Sequence, residues 1–300
     1  MIQSHLRRKI VKKTFKLLTI LAILFLGTSC DKTVLESPEE HIYTTVYPIE
    51  YLANTLYGEN ITTTSVFPDG SNPKEYKLTA KQIDDYSKGS IFIYNGLADE
   101  KDLARKLINN NNNIKIIDVS YGLTLEQDVE ELWLSPSNFL MLCSTVKNNL
   151  IEILDSKYAS ETIETNYAKL QENISQLDAD LRVISANVAN PTLVVDSNIF
   201  KFYEKYGYEV ISLEDEENLT PNSLAAIQKS FKDGEYKYIL TRDDQEQNDI
   251  IKSFVNNYNA QTIPMSIMGT LKEEKRKSNE DYYTLMQENI DNIRTVVIGK

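Results

Sequence analysis

Seven large side chains, Tyr167, Leu170, Ile174, Leu177, Leu181, Ile184 and Val188, follow one another at intervals of 3, 4, 3, 4, 3 and 4. This is the period of an α-helix with a single apolar stripe. Ser160 stands where an N-cap would, Glu161 and Glu164 fall in the first turn, where the helix dipole favours acids, and Asn190-Pro191 closes the pattern. At 1.5 Å per residue a helix from Ser160 to Val188 reaches roughly 40 Å, the length of two small lobes. The same stripe could serve a coiled-coil dimer. It holds fewer than four heptads, however, and structured segments flank it on both sides, which favours packing within one chain.

Those flanking segments share one character. Before the stripe, short β-branched or aromatic runs near residues 42–47, 61–67, 90–94 and 114–119 alternate with helical segments near 48–56, 79–87 and 100–108. After it, strand-like runs near 192–196, 209–213, 236–241 and 261–264 alternate with helical segments near 197–206, 221–231 and 245–258, and a last helix is expected over about 280–293. Such alternation predicts βαβ units. The expected fold is α/β: two lobes, each a mostly parallel sheet flanked by helices, joined by one long helix. The boundaries this implies are 42–158 for the first lobe, 159–190 for the connecting helix and 191–300 for the second lobe.

The N-terminus is of another kind. Residues 1–29 carry Arg7, Arg8, Lys9, Lys12, Lys13 and Lys16 and no acid, followed by the apolar run Leu17 to Leu26 and then Gly27-Thr28-Ser29-Cys30. Ten residues are too few to span a bilayer comfortably, and the charged, apolar and small-residue sections are those of a secretory signal. Cys30 directly after the small residues resembles a bacterial lipoprotein signal, in which this cysteine becomes the acylated first residue. Leu26 lies four positions before it, where the usual pattern has its large aliphatic residue three before. A plain cleaved signal or a transmembrane anchor is the alternative. The polar stretch over 30–41 then reads as a tether. Without the basic segment the chain has 26 basic against 44 acidic residues, a balance that repels phosphate backbones and excludes nucleic-acid binding as an expectation. With Cys30 acylated, Cys143 has no internal partner and reads as a buried small hydrophobe.

Five short segments occur in an order that carries further information. Val66 to Lys77 (VFPDGSNPKEYK) resembles a segment ending in Pro-His-x-Tyr-Glu, and Ile91 to Gly96 resembles the strand and Tyr-Asn-Gly turn that follow it. Glu131 to Pro136 (ELWLSP) resembles His-x-Trp-Leu-Asp-Pro, Lys205-Tyr206-Gly207 resembles a helix tail, and Asp281 to Asn289 is similar to a closing helix. Together they resemble the zinc- and manganese-class substrate-binding proteins of ABC importers. The resemblance implies an extracytoplasmic receptor, lipid-anchored to the bacterial membrane, with a permease partner, Zn²⁺ or Mn²⁺ as its ion and no enzymatic activity; the signal-plus-cysteine arrangement and the acidic body after it predict a monomer tethered through Cys30.

It also implies where the ion would sit. The family's first histidine corresponds to Lys74, two residues before Tyr76, the second to Glu131, and the third ligand to Asp196, with a possible slip toward Ser197 or Asn198. The fourth, an acid after the last strand in some members, has no counterpart in Pro264 to Leu271. The chain has two histidines, His5 in the signal and His41 just before the first strand. A protonated lysine has no lone pair for a metal. Three arrangements follow from these residues. Lys74, with Arg242 beside Asp243 as a second positive group, replaces the cation between Glu131 and Asp196; or an oxygen-rich site of Glu131, Asp196 and backbone or Asp243 oxygens selects a hard cation such as Mn²⁺; or the four charges never meet. The expected function is a substrate-binding lipoprotein with a degenerate metal site, the alternatives being a working metal receptor and an adhesin or scaffold with a vestigial cleft. No nucleophile elbow or Gly-rich phosphate loop points to an enzyme.

Overall fold

The computed structural model describes residues 41–58, 61–214 and 219–299. The expected signal, its Cys30 and the tether as far as residue 40 lie outside the described residues. Among the described residues there are two sheets, all their pairings parallel. The first contains β1 (His41–Thr44), β2 (Thr62–Ser65), β3 (Ile91–Tyr94) and β4 (Lys115–Asp118) in the order β2-β1-β3-β4. The second contains β5 (Thr192–Val195), β6 (Glu209–Ser212), β7 (Tyr238–Arg242) and β8 (Gln261–Met265) in the order β6-β5-β7-β8.

Helices α1 (Tyr47–Tyr57), α2 (Ala80–Tyr86) and α3 (Lys101–Asn110) alternate with the first four strands. The short α4 (Glu131–Leu134) and α5 (Pro136–Leu154) lead into α6, Lys157–Ala186. The second lobe adds a 3₁₀ helix (Asn198–Tyr206), α7 (Pro221–Lys232), α8 (Asp249–Tyr258), α9 (Glu273–Lys277) and α10 (Tyr282–Ile298). The expected α/β architecture of two lobes and one long helix is therefore present.

α6 buries Ile163, Leu170, Ile174, Leu177, Leu181 and Ile184, five of which belong to the predicted stripe. They join one hydrophobic core that takes Leu52 and Phe92 from the first lobe and Leu193, Val195 and Leu240 from the second. A smaller cluster on the other face of the second sheet holds Val194, Ile239 and Phe254. Successive residues of a strand face opposite sides, so the run Leu193-Val194-Val195 serves both. The start of α6 differs from expectation. The cap is Ser156, which accepts from the Ala159 N–H, and Ser160 lies inside the helix. Asp155, with φ 41°, breaks the chain between α5 and α6, so the next serine takes the cap. The segment expected as an α-helix over 197–206 is a 3₁₀ helix, closed by Gly207 at φ 90°. Its rings Phe200, Phe202, Tyr203 and Tyr206 are all buried, and their packing selects the tighter winding.

Candidate ligand cleft

In each sheet the order reverses between two neighbouring strands, β1 and β3 in the first and β5 and β7 in the second. The crevice at the carboxyl ends of such strands is where open α/β sheets bind ligands. Asp196 directly follows β5. Its N–H donates to Leu240 O at 3.0 Å, and its Oδ2 accepts the Arg242 N–H at 2.9 Å, so it is pinned across the second switch point. Asn95 and Gly96 directly follow β3. A Cβ on Gly96 would lie 1.9 Å from Asp118 Oδ2, and the Gly96 N–H donates to Asp118 Oδ1 at 2.9 Å. The Tyr-Asn-Gly turn therefore requires its glycine.

Arg242, the last residue of β7, extends its guanidinium toward the first lobe. Its Nε and Nη2 grip Asp244 at 2.8 Å each, and Nη2 reaches Glu130 Oε1 at 3.2 Å. Glu130 Oε1 also meets Lys74 Nζ at 2.9 Å, and Lys74 bonds Asp128 Oδ2 at 2.6 Å. An unbroken chain of alternating charge, Asp128, Lys74, Glu130, Arg242, Asp244, thus crosses from one lobe to the other. Its centre is dry: the side chains of Glu130 and Arg242 are 5% and 10% exposed. Glu130 Oε2 and Asp196 Oδ1 are buried without a hydrogen-bond partner.

The sequence assignment differs from this chain in which acid it uses. Lys74 does not lie between Glu131 and Asp196; it is held by Asp128 and Glu130. Glu131 instead accepts from the Glu126 and Gln127 N–H groups through Oε2 at 3.4 and 3.3 Å, and binds Asn138 Nδ2 at 3.1 Å and Lys205 Nζ at 3.3 Å through Oε1. The reason is helical phase. Glu130 and Trp133 are three residues apart and share a face, and Trp133 Nε1 donates to Ile267 O at 2.7 Å across the lobe junction; Glu131 is turned about 100° away. Arg242 ends β7, and in the bend that follows it the guanidinium meets Asp244, while Asp243 binds Lys272 Nζ at 2.7 Å and accepts the Ile267 N–H at 3.0 Å. Tyr76 packs edge-on against Phe67, and its hydroxyl accepts from Gln82 Nε2 at 2.9 Å. His41 begins β1, at the end of the strand opposite the crevice, with a ring nitrogen 3.2 Å from Thr64 Oγ1. Asp128, Glu130 and Asp244 are not marked by the sequence reading, and Lys205 enters it only as part of a helix tail, not as a cleft residue. The adjacent acid pairs Glu130-Glu131 and Asp243-Asp244 were the available signal.

Among the described residues no three His, Cys, Asp or Glu side chains converge as a group able to hold a metal ion. Burial lowers the affinity of Lys74 for its proton, but Asp128 and Glu130 outweigh this and its pKa is raised. Arg242 is held well above its ordinary value for the same reason. Burial pushes Asp196 up to about 6, the Arg242 N–H and charge opposing and Glu214 and Asp244 adding to it. A carboxyl whose folded pKa is raised binds more protons folded than unfolded, so its ionisation costs stability as pH rises from about 4 through 6. Asp196→Asn is expected to reduce the loss between pH 4 and 7 by about 2 to 3 kcal/mol. Urea midpoints at the two pH values measure it, and an unchanged difference would remove this role.

A sequence profile of the ZnuA family, described as zinc-uptake complex component A, periplasmic, matches residues 42–296. The chain belongs to this family. ZnuA proteins are solute-binding proteins of ABC importers, not enzymes. The zinc-binding protein AdcA of Streptococcus pyogenes serotype M6 is 20% identical over 328 residues, covering 96% of this chain, which spans 62% of AdcA. The manganese-binding lipoprotein MntA of Halalkalibacterium halodurans is 22% identical over 289 residues, 91% of this chain and 94% of that protein. The crystal structure of the Zn(II)-bound ZnuA-like domain of Streptococcus pneumoniae AdcA superposes with a TM-score of 0.71 at 20% identity, over 86% of this chain and 99% of that domain. The ZnuA fold is thus shared while the residues at the expected ligand positions are Lys74, Glu131 and Asp196.

Proposed function

We propose that this protein is the extracytoplasmic receptor of an ABC importer, tethered through an acylated Cys30, with a cleft whose charge is balanced by its own cations in place of a transition metal. The observation that carries this reading is the Lys74–Glu130–Arg242 chain across the lobes. Zinc favours neutral imidazole and thiolate donors, and the cleft offers carboxylates already engaged by two cations. Any ion entering there meets a like charge about 4 Å away, which costs several kcal/mol at an effective dielectric near 20. An oxygen-rich Mn²⁺ site built from Glu131, Asp196 and Asp243 would require Glu131 to leave Lys205 and Asp243 to leave Lys272.

Titration calorimetry with Zn²⁺ and Mn²⁺, alongside metal analysis of the purified protein, tests the reading. Wild type is expected to carry less than one equivalent and to bind added metal no better than a generic acidic surface, and Lys74→Ala to gain weak affinity. Sub-micromolar one-to-one binding by wild type would overturn it and restore the metal-receptor alternative. The receptor is expected to be a monomer that delivers to a permease. For the anchor, detergent-phase partitioning of wild type against Cys30→Ala is decisive, since equal partitioning of both into the aqueous phase would eliminate it.

A further inference from the structure

The chain between β8 and α10 belongs to the second lobe but lies on the first. Its base is fixed to its own lobe: the Ile267 N–H donates to Asp243 Oδ1 at 3.0 Å, and Asn289 clamps Ser266 through hydrogen bonds of 2.8 and 2.9 Å. From there residues 268–278 cross over. Gly269 O accepts the Tyr47 N–H at 3.2 Å, Thr270 Oγ1 donates to Ser71 O at 2.7 Å, and Leu271 O accepts the Gly70 N–H at 3.0 Å. Arg276 completes the contact with a double fork, Nη1 and Nη2 each reaching a Glu50 oxygen at 3.2 Å while Nε and Nη2 bind the two oxygens of Asp69. Lys272, Lys275 and Lys277 pair instead with acids of the second lobe or of the segment itself. Arg276 is therefore the segment's charged grip on the first lobe.

In other respects the segment is loosely built. Of residues 268–278 only Met268 and Leu271 are buried, and α9 buries none. Met268 at its start has φ 60° and Asn279 just past its end has φ 57°, and for methionine this left-handed backbone persists only where the surroundings enforce it. A stretch with few buried contacts opens at lower free energy than the core beside it. Parting the lobes costs far more, because α6 joins them through one hydrophobic core. The segment also covers the cleft. Gly269 lines both a cavity of about 530 Å³ beside Lys74 and Glu130 and one of about 190 Å³ beside Asp244, and it stands between them where it packs on Pro73, whose Cγ would lie 3.5 Å from an added Cβ.

We propose that residues 268–278 are a strap that detaches from the first lobe as one unit while both lobes and α6 stay in place, with Arg276 as its latch, and that this is how solute reaches the cleft. Glu50 is 6% exposed and both its oxygens are held by Arg276. A half-withdrawn guanidinium would strand that buried charge, so the seated and free straps are two separate states. The use of the movement for solute entry rests on the proposed function; the movement itself does not.

Hydrogen exchange of the full mature chain, read by NMR at chosen N–H groups, tests this. The Tyr47 and Gly70 N–H groups donate to strap carbonyls and report the strap. The indole N–H of Trp133, the chain's single tryptophan, donates to Ile267 O at the fixed base and reports parting of the lobes. The Leu177 N–H, in the middle of α6, reports global unfolding. Arg276→Met is expected to speed exchange at Tyr47 and Gly70 together by about tenfold or more, the value of a charge-assisted hydrogen bond, with Trp133 and Leu177 changed by less than about twofold. Asp69→Asn leaves Arg276 on Glu50 and strands no buried charge, which keeps the test informative if the Arg276 variant folds poorly; it should speed the same two groups by about threefold or more. Acceleration of Trp133 alongside Tyr47 and Gly70 would mean that the lobes part as bodies. Exchange of the strap reporters in step with Leu177, or a response at only one of them, would mean that no separate strap exists, and either result overturns the proposal. These readings need neither metal nor solute, so stoichiometric zinc would defeat the proposed function and leave the strap standing.

Discussion

Replacing Arg242 with methionine is expected to cost about 3 kcal/mol of folding stability, and up to about 5, as removal of one partner from a buried ion pair does. The guanidinium is 10% exposed and lies between Glu130, 5% exposed, and Asp244, 37% exposed. After the substitution Asp244 can hydrate. Glu130 cannot; it retains only Lys74, whose own side chain is half exposed and shared with Asp128. The hydrogen bond from the Arg242 main-chain N–H to Asp196 survives, since it does not use the side chain. The loss should therefore trace to Glu130, and a second substitution, Glu130→Gln, should return most of it. Urea unfolding of both single variants and the double variant gives the coupling energy directly. A single-variant change below about 0.5 kcal/mol would place the pair in solvent and remove the internal-cation reading.

Leu177→Ala is expected to cost about 2 to 5 kcal/mol, the range for a large-to-small change in a core that cannot fully collapse. Leu177 is fully buried at the middle of α6, within the core shared by the two lobes. That helix packs on α1 and α5 from the first lobe and on α10 beside β5 and β8, so a cavity here loosens both halves. Val183, six residues along and 57% exposed, is the matched control, and Val183→Ala should stay within about 0.5 kcal/mol. Equal, small effects at both positions would contradict a one-sided helix.

The difference between those two residues was readable from spacing alone, because a helix repeats every 3.6 residues and the stripe Leu170, Ile174, Leu177, Leu181 follows that repeat with Val183 off it. The strands were readable for a similar local reason, short β-branched runs bounded by turns, and their parallel order follows from the helices between them. Cap choice was less legible. Ser156 and Ser160 are chemically alike, and the left-handed Asp155 decided between them.

Charge partnership was not legible. Glu130 and Glu131 are neighbours in the chain with opposite fates, one joining Lys74 and Arg242 and the other joining Lys205, and these partners lie between 56 and 112 positions away. Local periodicity fixes which residues of an element share a face, and so determined the helix stripe, the strands and the two-lobed α/β plan. Which carboxylate meets which cation depends on how one face is set against another, and that was decided only when the lobes packed on α6, because side chains so far apart in the chain interact through tertiary distance and not through sequence spacing.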